Sequence, residues 1–169
     1  MIKGLIIVNN HGRPRIVKFY KEVKSQDREK TIREIFQIVS KRPDALCNFV
    51  ESGDVSAWGD DTKIIYRHYA TLYFIFVVDK SESELGILDL IQVFVEALDK
   101  CFENVCELDL IFNGPKVHNI LDEIVMGGMV LETSRIKILR AIRDMNALEK
   151  KGVPLGPRAE KGGTVPRRL

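Results

Sequence analysis

The stretch at residues 85–102 constrains this chain most, because it reads as a helix with more apolar surface than one neighbour can cover. One stripe holds Leu85, Leu88, Ile91, Val95, Leu98 and Phe102; a second, beside it, holds Ile87, Leu90, Phe94, Ala97 and Cys101. Asp89, Gln92, Glu96, Asp99 and Glu103 leave only a narrow polar strip. A helix resting one face on a sheet needs an apolar stripe of about 100°. The surplus therefore requires a second cover, either another helix or a partner chain.

Sheet signals surround this helix. Residues 2–8 are apolar on both alternating faces apart from Lys3 and Gly4, as suits a central strand covered on both sides. Residues 9–12, Asn-Asn-His-Gly, tolerate positive φ, and residues 15–20 resume as a second strand, so a hairpin opens the fold. Ile32, Ile35, Phe36 and Val39 follow at helical spacing, with Ser25 or Asp27 available as the cap and Pro43 as the stop. Residues 45–51, 63–69 and 72–78 read as strands, with a Gly/Asp-rich loop at 52–61. The last strand is apolar on both faces, which places helices on both sides of the sheet. Val117, Ile120, Leu121, Ile124 and Val125 predict a helix ended by Gly127-Gly128. Thr133 or Ser134 is placed to cap a final helix bearing Ile136, Leu139, Ile142 and Met145.

Composition narrows the class. With 169 residues, 45% hydrophobic and 30% charged, the chain suits one folded domain and excludes collagen-like and wholly disordered readings. The whole chain carries a formal +2, but residues 150–169 hold six Lys or Arg against Glu160 alone. That segment is +5, so residues 1–149 come to −3. A folded nucleic-acid binder gathers positive charge on one face, and this folded part is mildly acidic. The boundary is placed after residue 149: a folded domain at 1–149, then a basic Gly/Pro-rich tail expected to be flexible on its own. Cys47, Cys101 and Cys106 are odd in number and form no CxxC pair, so reduced thiols in the cytosol are expected. No apolar run approaches the roughly 20 residues that span a bilayer, so membrane contact is expected to be peripheral.

Catalytic signatures are missing. No GxxxxGK[ST], GxGxxG, HExxH, GxSxG or EF-hand pattern occurs. His11, His68 and His118 are dispersed, and Cys101 and Cys106 have the wrong spacing for a zinc knuckle. Glu107 and Asp109 follow a helix and read as surface acids or a helix cap rather than a carboxylate pair. No cofactor, metal or enzymatic activity is expected.

Three long strings then carry a resemblance: YRHYATLYF at 66–74, LDLIQVFVE at 88–96 and NVCELDLIFN at 104–113, joined by RIVKFY at 15–20. Over roughly residues 1–148 the chain resembles the small (sigma) chains of clathrin-type adaptor complexes. SESELGIL at 81–88 and the extended 52–61 loop look most like the third adaptor type, which serves endosome-to-lysosome or vacuole routes. The resemblance implies an α+β, longin-like α-β-α sandwich, its five-stranded antiparallel sheet flanked by helices. It implies a heterotetramer in which this chain touches a large, delta-type subunit directly, alongside a second large and a medium chain. It also implies a cytoplasmic location, peripheral on Golgi and endosomal membranes, with the large subunit's helical solenoid covering the surplus helix surface. Poor solubility of the chain alone is the corresponding expectation.

The activity so implied is cargo selection: with the large subunit, binding of cytosolic-tail signals that read acidic residue, three arbitrary residues, Leu, then Leu or Ile. By motif position, Ala70, Leu72, Val95, Asn104, Val105 and Leu110 line the leucine sites, and Arg15 stands near the signal's acidic end. His68 replaces an Arg that some sigma chains carry, which implies a smaller basic patch.

Overall fold

A computed structural model describes residues 1–43, 48–51 and 55–152. The two most apolar strands take the centre of the sheet. β1 (Ile2–Asn9) is buried along its whole length, and β5 (Leu72–Val78) along nearly all of it. They pair antiparallel, with β2 (Pro14–Phe19) outside β1, and β4 (Lys63–Tyr69) then β3 (Phe49–Glu51) outside β5. The order β2-β1-β5-β4-β3 is the five-stranded antiparallel sheet expected. The expected strand at 45–51 is seen from Phe49; residues 45–47, with Cys47, and 52–54 of the loop lie outside the described residues.

Alternation along the strands feeds two cores. Ile6, Val8, Ile64, Tyr66, Ile75 and Val77 pack with Ile35 and Val39 of α1 (Ser25–Ser40) and with Trp58. Leu5, Ile7, Ile65, Phe74 and Phe76 face α2 (Glu84–Phe102), where Phe74 and Phe94 meet edge to face with centroids 6.2 Å apart. The helix α1 starts at Lys24 with no side-chain cap; Ser25 is already helical and Asp27 only adds negative charge to the first turn, so neither caps it. Ser83 does cap α2, its Oγ accepting from the Gly86 N–H at 3.2 Å.

The surplus surface of α2 is covered from within the chain. α4 (Gly114–Ile124) supplies Val117, Ile120, Leu121 and Ile124, and α5 (Arg135–Lys150) supplies Ile138 and Ile142, all in the core that takes in both α2 stripes apart from Leu85, which stays exposed at the start of the helix. This corrects the expectation of a partner's solenoid: of the two possible covers, helices of the same chain occupy the site. The solubility argument loses its premise with it. Large apolar side chains are exposed elsewhere, at Leu108, Ile111 and Phe112 and around Met129, Leu131 and Ile136.

Two other expectations shift. The helix α4 stops at Ile124, and Val125 opens a small hairpin of β6 (Val125–Met126) and β7 (Met129–Val130), whose turn is Gly127-Gly128 with φ of 59° and 81°. Paired left-handed residues make the tight hairpin turn, so the glycines close a hairpin and do not end the helix. In α5 the inward stripe is Ile138, Ile142 and Met145, and Ile136 faces solvent at 77% exposure. Ser134 is the N-cap residue but its side chain makes no cap bond; the Glu132 carboxylate instead accepts the Thr133 and Ser134 N–H groups. The helix runs to Lys150, and of the basic tail only Lys151 and Gly152 follow within the described residues.

Candidate functional site

The seven residues placed by resemblance come from five different parts of the chain, and the fold gathers them at one end of the sheet. There Asn9 pairs with Leu72, the β4–β5 turn closes through Ala70 and Thr71, and β2 begins beside Pro14. The C-terminal turn of α2 and the short α3 (Glu107–Phe112) close over the same end. Tyr69 Oη donates to Asp99 Oδ2 at 3.3 Å, tying the β4–β5 turn to α2 one turn beyond Val95. The Asp99 charge holds the Tyr69 hydroxyl above its ordinary titration range, and their hydrogen bond adds to this.

Leu72, Val95 and Leu110 are 1–2% exposed and share one core with Phe94 and Leu98. Val105 is half-buried against that core and forms its lip. The chain bends sharply to put it there: Glu103 and Asn104 both take left-handed backbone, with φ of 53° and 76°. The Asp99 carboxylate accepts the Val105 N–H at 3.0 Å, and the Asp99 carbonyl accepts the Asn104 N–H at 3.3 Å. Asn suits such a position because its short side chain tolerates positive φ. α3 then begins with a capping box in which Asp109 Oδ2 accepts the Cys106 N–H at 2.9 Å. Leu110 turns inward while Leu108, Ile111 and Phe112 face solvent.

Ala70 sits in the turn with φ of 54°. Left-handed backbone costs a non-glycine residue about 1–2 kcal/mol, of which the greater unfolded freedom of glycine takes back part. Ala70→Gly is therefore expected to raise stability by about 0.5–1 kcal/mol in chemical denaturation; a loss would show that the methyl group packs against something that matters.

Arg15 is not a loose edge charge. Its Nε donates to Glu107 Oε1 at 2.7 Å, and Asn9 Nδ2 donates to the same oxygen at 3.0 Å. These bonds, led by that from Arg15, hold the Glu107 carboxyl below its usual range. The sequence reading took Glu107 and Asp109 alike as surface acids or a helix cap; Asp109 is the capping acid, and the pairing of Glu107 was missed because its partner lies 92 positions away. Asn9, Tyr69 and Asp99 were missed for the same reason. His68 points to the opposite face, stacked on Tyr73 at 4.2 Å with Nε2 3.1 Å from Asn10 Oδ1, away from the Leu72–Val95 side.

Among the described residues no group of three or more His, Cys, Asp or Glu could hold a metal, and no helix is long and apolar enough to cross a membrane. Cys101 and Cys106 are free thiols, the first pushed up in pKa by burial.

Comparison with known proteins gives a consistent picture. A family profile described as clathrin adaptor complex small chain matches residues 1–149. The chain is 61% identical over 150 residues to a human protein named AP-3 complex subunit sigma-2, covering 89% of this chain and 77% of that one. It is 61% identical over 156 residues to the AP-3 complex subunit sigma of Dictyostelium discoideum, covering 92% and 91%. It is 46% identical over 164 residues to that of Arabidopsis thaliana, covering 96% and 98%. A chain in a homology model of the full-length AP-3 complex in a stretched open conformation superposes with a TM-score of 0.67 at 41% identity, over 90% of this chain and 98% of that one.

Proposed function

Because this chain belongs to the clathrin adaptor complex small-chain family, we propose that it serves as the small subunit of an AP-3-type vesicle-coat adaptor and, with a large subunit, binds acidic dileucine signals. It acts by binding, not by catalysis. A delta-type large chain is its direct partner, with a second large and a medium chain completing a heterotetramer. The complex sits peripherally on Golgi and endosomal membranes and selects cargo for lysosomal or vacuolar routes. This work is assigned to the domain at 1–149 and not to the basic Gly/Pro-rich segment at 150–169.

One observation carries the cargo reading: Arg15, Ala70, Leu72, Val95, Asn104, Val105 and Leu110, dispersed in sequence, meet at one end of the sheet with a cation on its rim. An extended peptide burying two leucines gains about 1.5–3 kcal/mol from each. A charge-assisted contact at Arg15 adds to this, and ordering the flexible tail offsets several kcal/mol of the total. The result is a Kd on the order of micromolar per site, which a coat carrying many copies converts into capture. Since Leu72, Val95 and Leu110 are closed off in the free chain, the leucines enter past Val105 as the α3 side shifts.

The same closure favours a second reading, in which the chain braces the large subunit and has no cargo affinity of its own. Fluorescence polarisation on the purified complex separates the two. A labelled peptide containing Glu-Ala-Ser-Ser-Leu-Leu is expected to bind saturably, its Ala-Ala counterpart not at all, and Arg15→Ala to weaken binding roughly five- to tenfold. Intact assembly with no binding of the Leu-Leu peptide would establish the bracing role instead.

A further inference from the structure

The contacts around Arg15 form a seat for a carboxylate, and that seat is already filled. Asn9 is buried, and its Oδ1 accepts the N–H groups of His11 at 3.0 Å and Arg13 at 2.9 Å. With the amide oxygen held by the hairpin, the Nδ2 end is fixed in direction and points at Glu107 Oε1. Arg15 Nε converges on the same oxygen. Any carboxylate placed there meets one cationic and one neutral donor, a geometry that recognises acids. Here the acid comes from the first turn of α3 in the same chain.

We propose that Glu107 is an internal ligand of this seat, competing with the acidic residue of the sorting signal for Arg15 and so setting how strongly the site prefers an acidic over a neutral signal. The inference rests on the dileucine reading above. Three observations support it. The Glu107 charge neutralises Arg15, so an arriving anion meets a pair and not a free cation. Among the described residues the Arg15 side chain hydrogen-bonds through Nε and not through Nη1 or Nη2, so part of the guanidinium fork remains open to a second acceptor. Both side chains keep partial exposure, 21% for Arg15 and 27% for Glu107, so the pair can open without unfolding the core. Glu107 can release Arg15 by turning its own side chain, so a signal that brings an acid displaces it while a neutral signal leaves the pair in place.

The test uses the full-length chain assembled with its adaptor partners and two peptides, Glu-Ala-Ser-Ser-Leu-Leu and Gln-Ala-Ser-Ser-Leu-Leu. The readout is the ratio of their affinities. Glu107→Gln keeps the side chain's shape and removes its charge; it is expected to raise the ratio about three- to tenfold by tightening the acidic peptide and leaving the neutral one within about twofold. Glu107→Ala should do the same. In an Arg15→Ala background neither change should move the ratio, since the seat has lost its cation. A ratio that stays within about twofold in both variants, while wild-type complex binds the acidic peptide, overturns the proposal and leaves the dileucine reading standing. A ratio that falls means that Glu107 merely aims Arg15, and overturns it equally. Wild-type complex that binds neither peptide overturns both together.

Discussion

Val95→Asp is expected to prevent recovery of folded chain in the assembled complex, whereas Val105→Asp should assemble normally and lose the Leu-Leu peptide. The two valines are neighbours at the same site and differ in burial. Val95 is 2% exposed in the apolar core that joins α2 to the sheet and to α4 and α5. An aspartate there must ionise without a partner or fold protonated, and an uncompensated buried charge costs about 3–5 kcal/mol or more. A domain of this size has about 5–15 kcal/mol of stability in all, so most of the margin disappears. Co-purification with the large subunit and the thermal unfolding profile report this directly, and a Val95→Asp complex of normal yield and melting temperature would show that the site opens far more freely than its burial indicates.

Val105 is half-buried, and its backbone is held by Asp99 rather than by its own side chain. A carboxylate can turn outward there at little cost to folding. It would place a second negative charge beside Asp99 at the lip that the leucines must cross. Losing burial of one leucine is worth about 1.5–3 kcal/mol, roughly ten- to hundredfold in Kd. Polarisation on the intact complex measures it, and unchanged binding would move the leucine site away from this end of the sheet.

Periodicity made the sheet and the helices legible, because burial on two faces leaves a pattern that local sequence carries. The same logic identified the surplus on α2 but could not say what covers it, since α4 and α5 reach that surface only through tertiary packing. Sequence spacing misread the end of α4 because Gly-Gly serves helix ends and hairpin turns alike; the deciding fact is that Leu131 N–H bonds back to the Ile124 carbonyl at 2.8 Å. In α5, Ile136 and Ile138 are both apolar, and only the position of α2 decides which is inside. At the candidate site, the seven positions came only from long strings that resemble a family, since periodicity by itself reads Leu72, Val95 and Leu110 as core. The Arg15–Glu107–Asn9 contacts were not legible, since nothing near Glu107 in sequence announces a partner on the first hairpin.

Gly128→Ala is the second large effect expected, and a neighbouring glycine supplies its control. Both Gly127 and Gly128 have left-handed backbone, so an alanine at either incurs the cost of positive φ, about 0.5–1 kcal/mol once the smaller unfolded-state freedom of alanine is set against it. Their surroundings differ. A Cβ on Gly127 meets nothing within 4 Å, while one on Gly128 would stand 2.4 Å from the Ile2 carbonyl oxygen. That oxygen belongs to a backbone that cannot turn aside as a flexible side chain can, because Ile2 N–H donates to the Gly128 carbonyl at 2.8 Å and β1 is locked between β2 and β5. Relief requires moving the β6–β7 hairpin off β1, losing that bond and disturbing Tyr20, whose Cβ is 3.2 Å from the same point. An exposed backbone donor and the lost packing add about 1–3 kcal/mol to the dihedral cost. Gly127→Ala should thus lower the melting temperature by roughly 1–4 °C and Gly128→Ala by roughly 3–15 °C in the same calorimetric scan. Equal shifts for the two would mean that only the dihedral matters and that the hairpin does not press on the first strand.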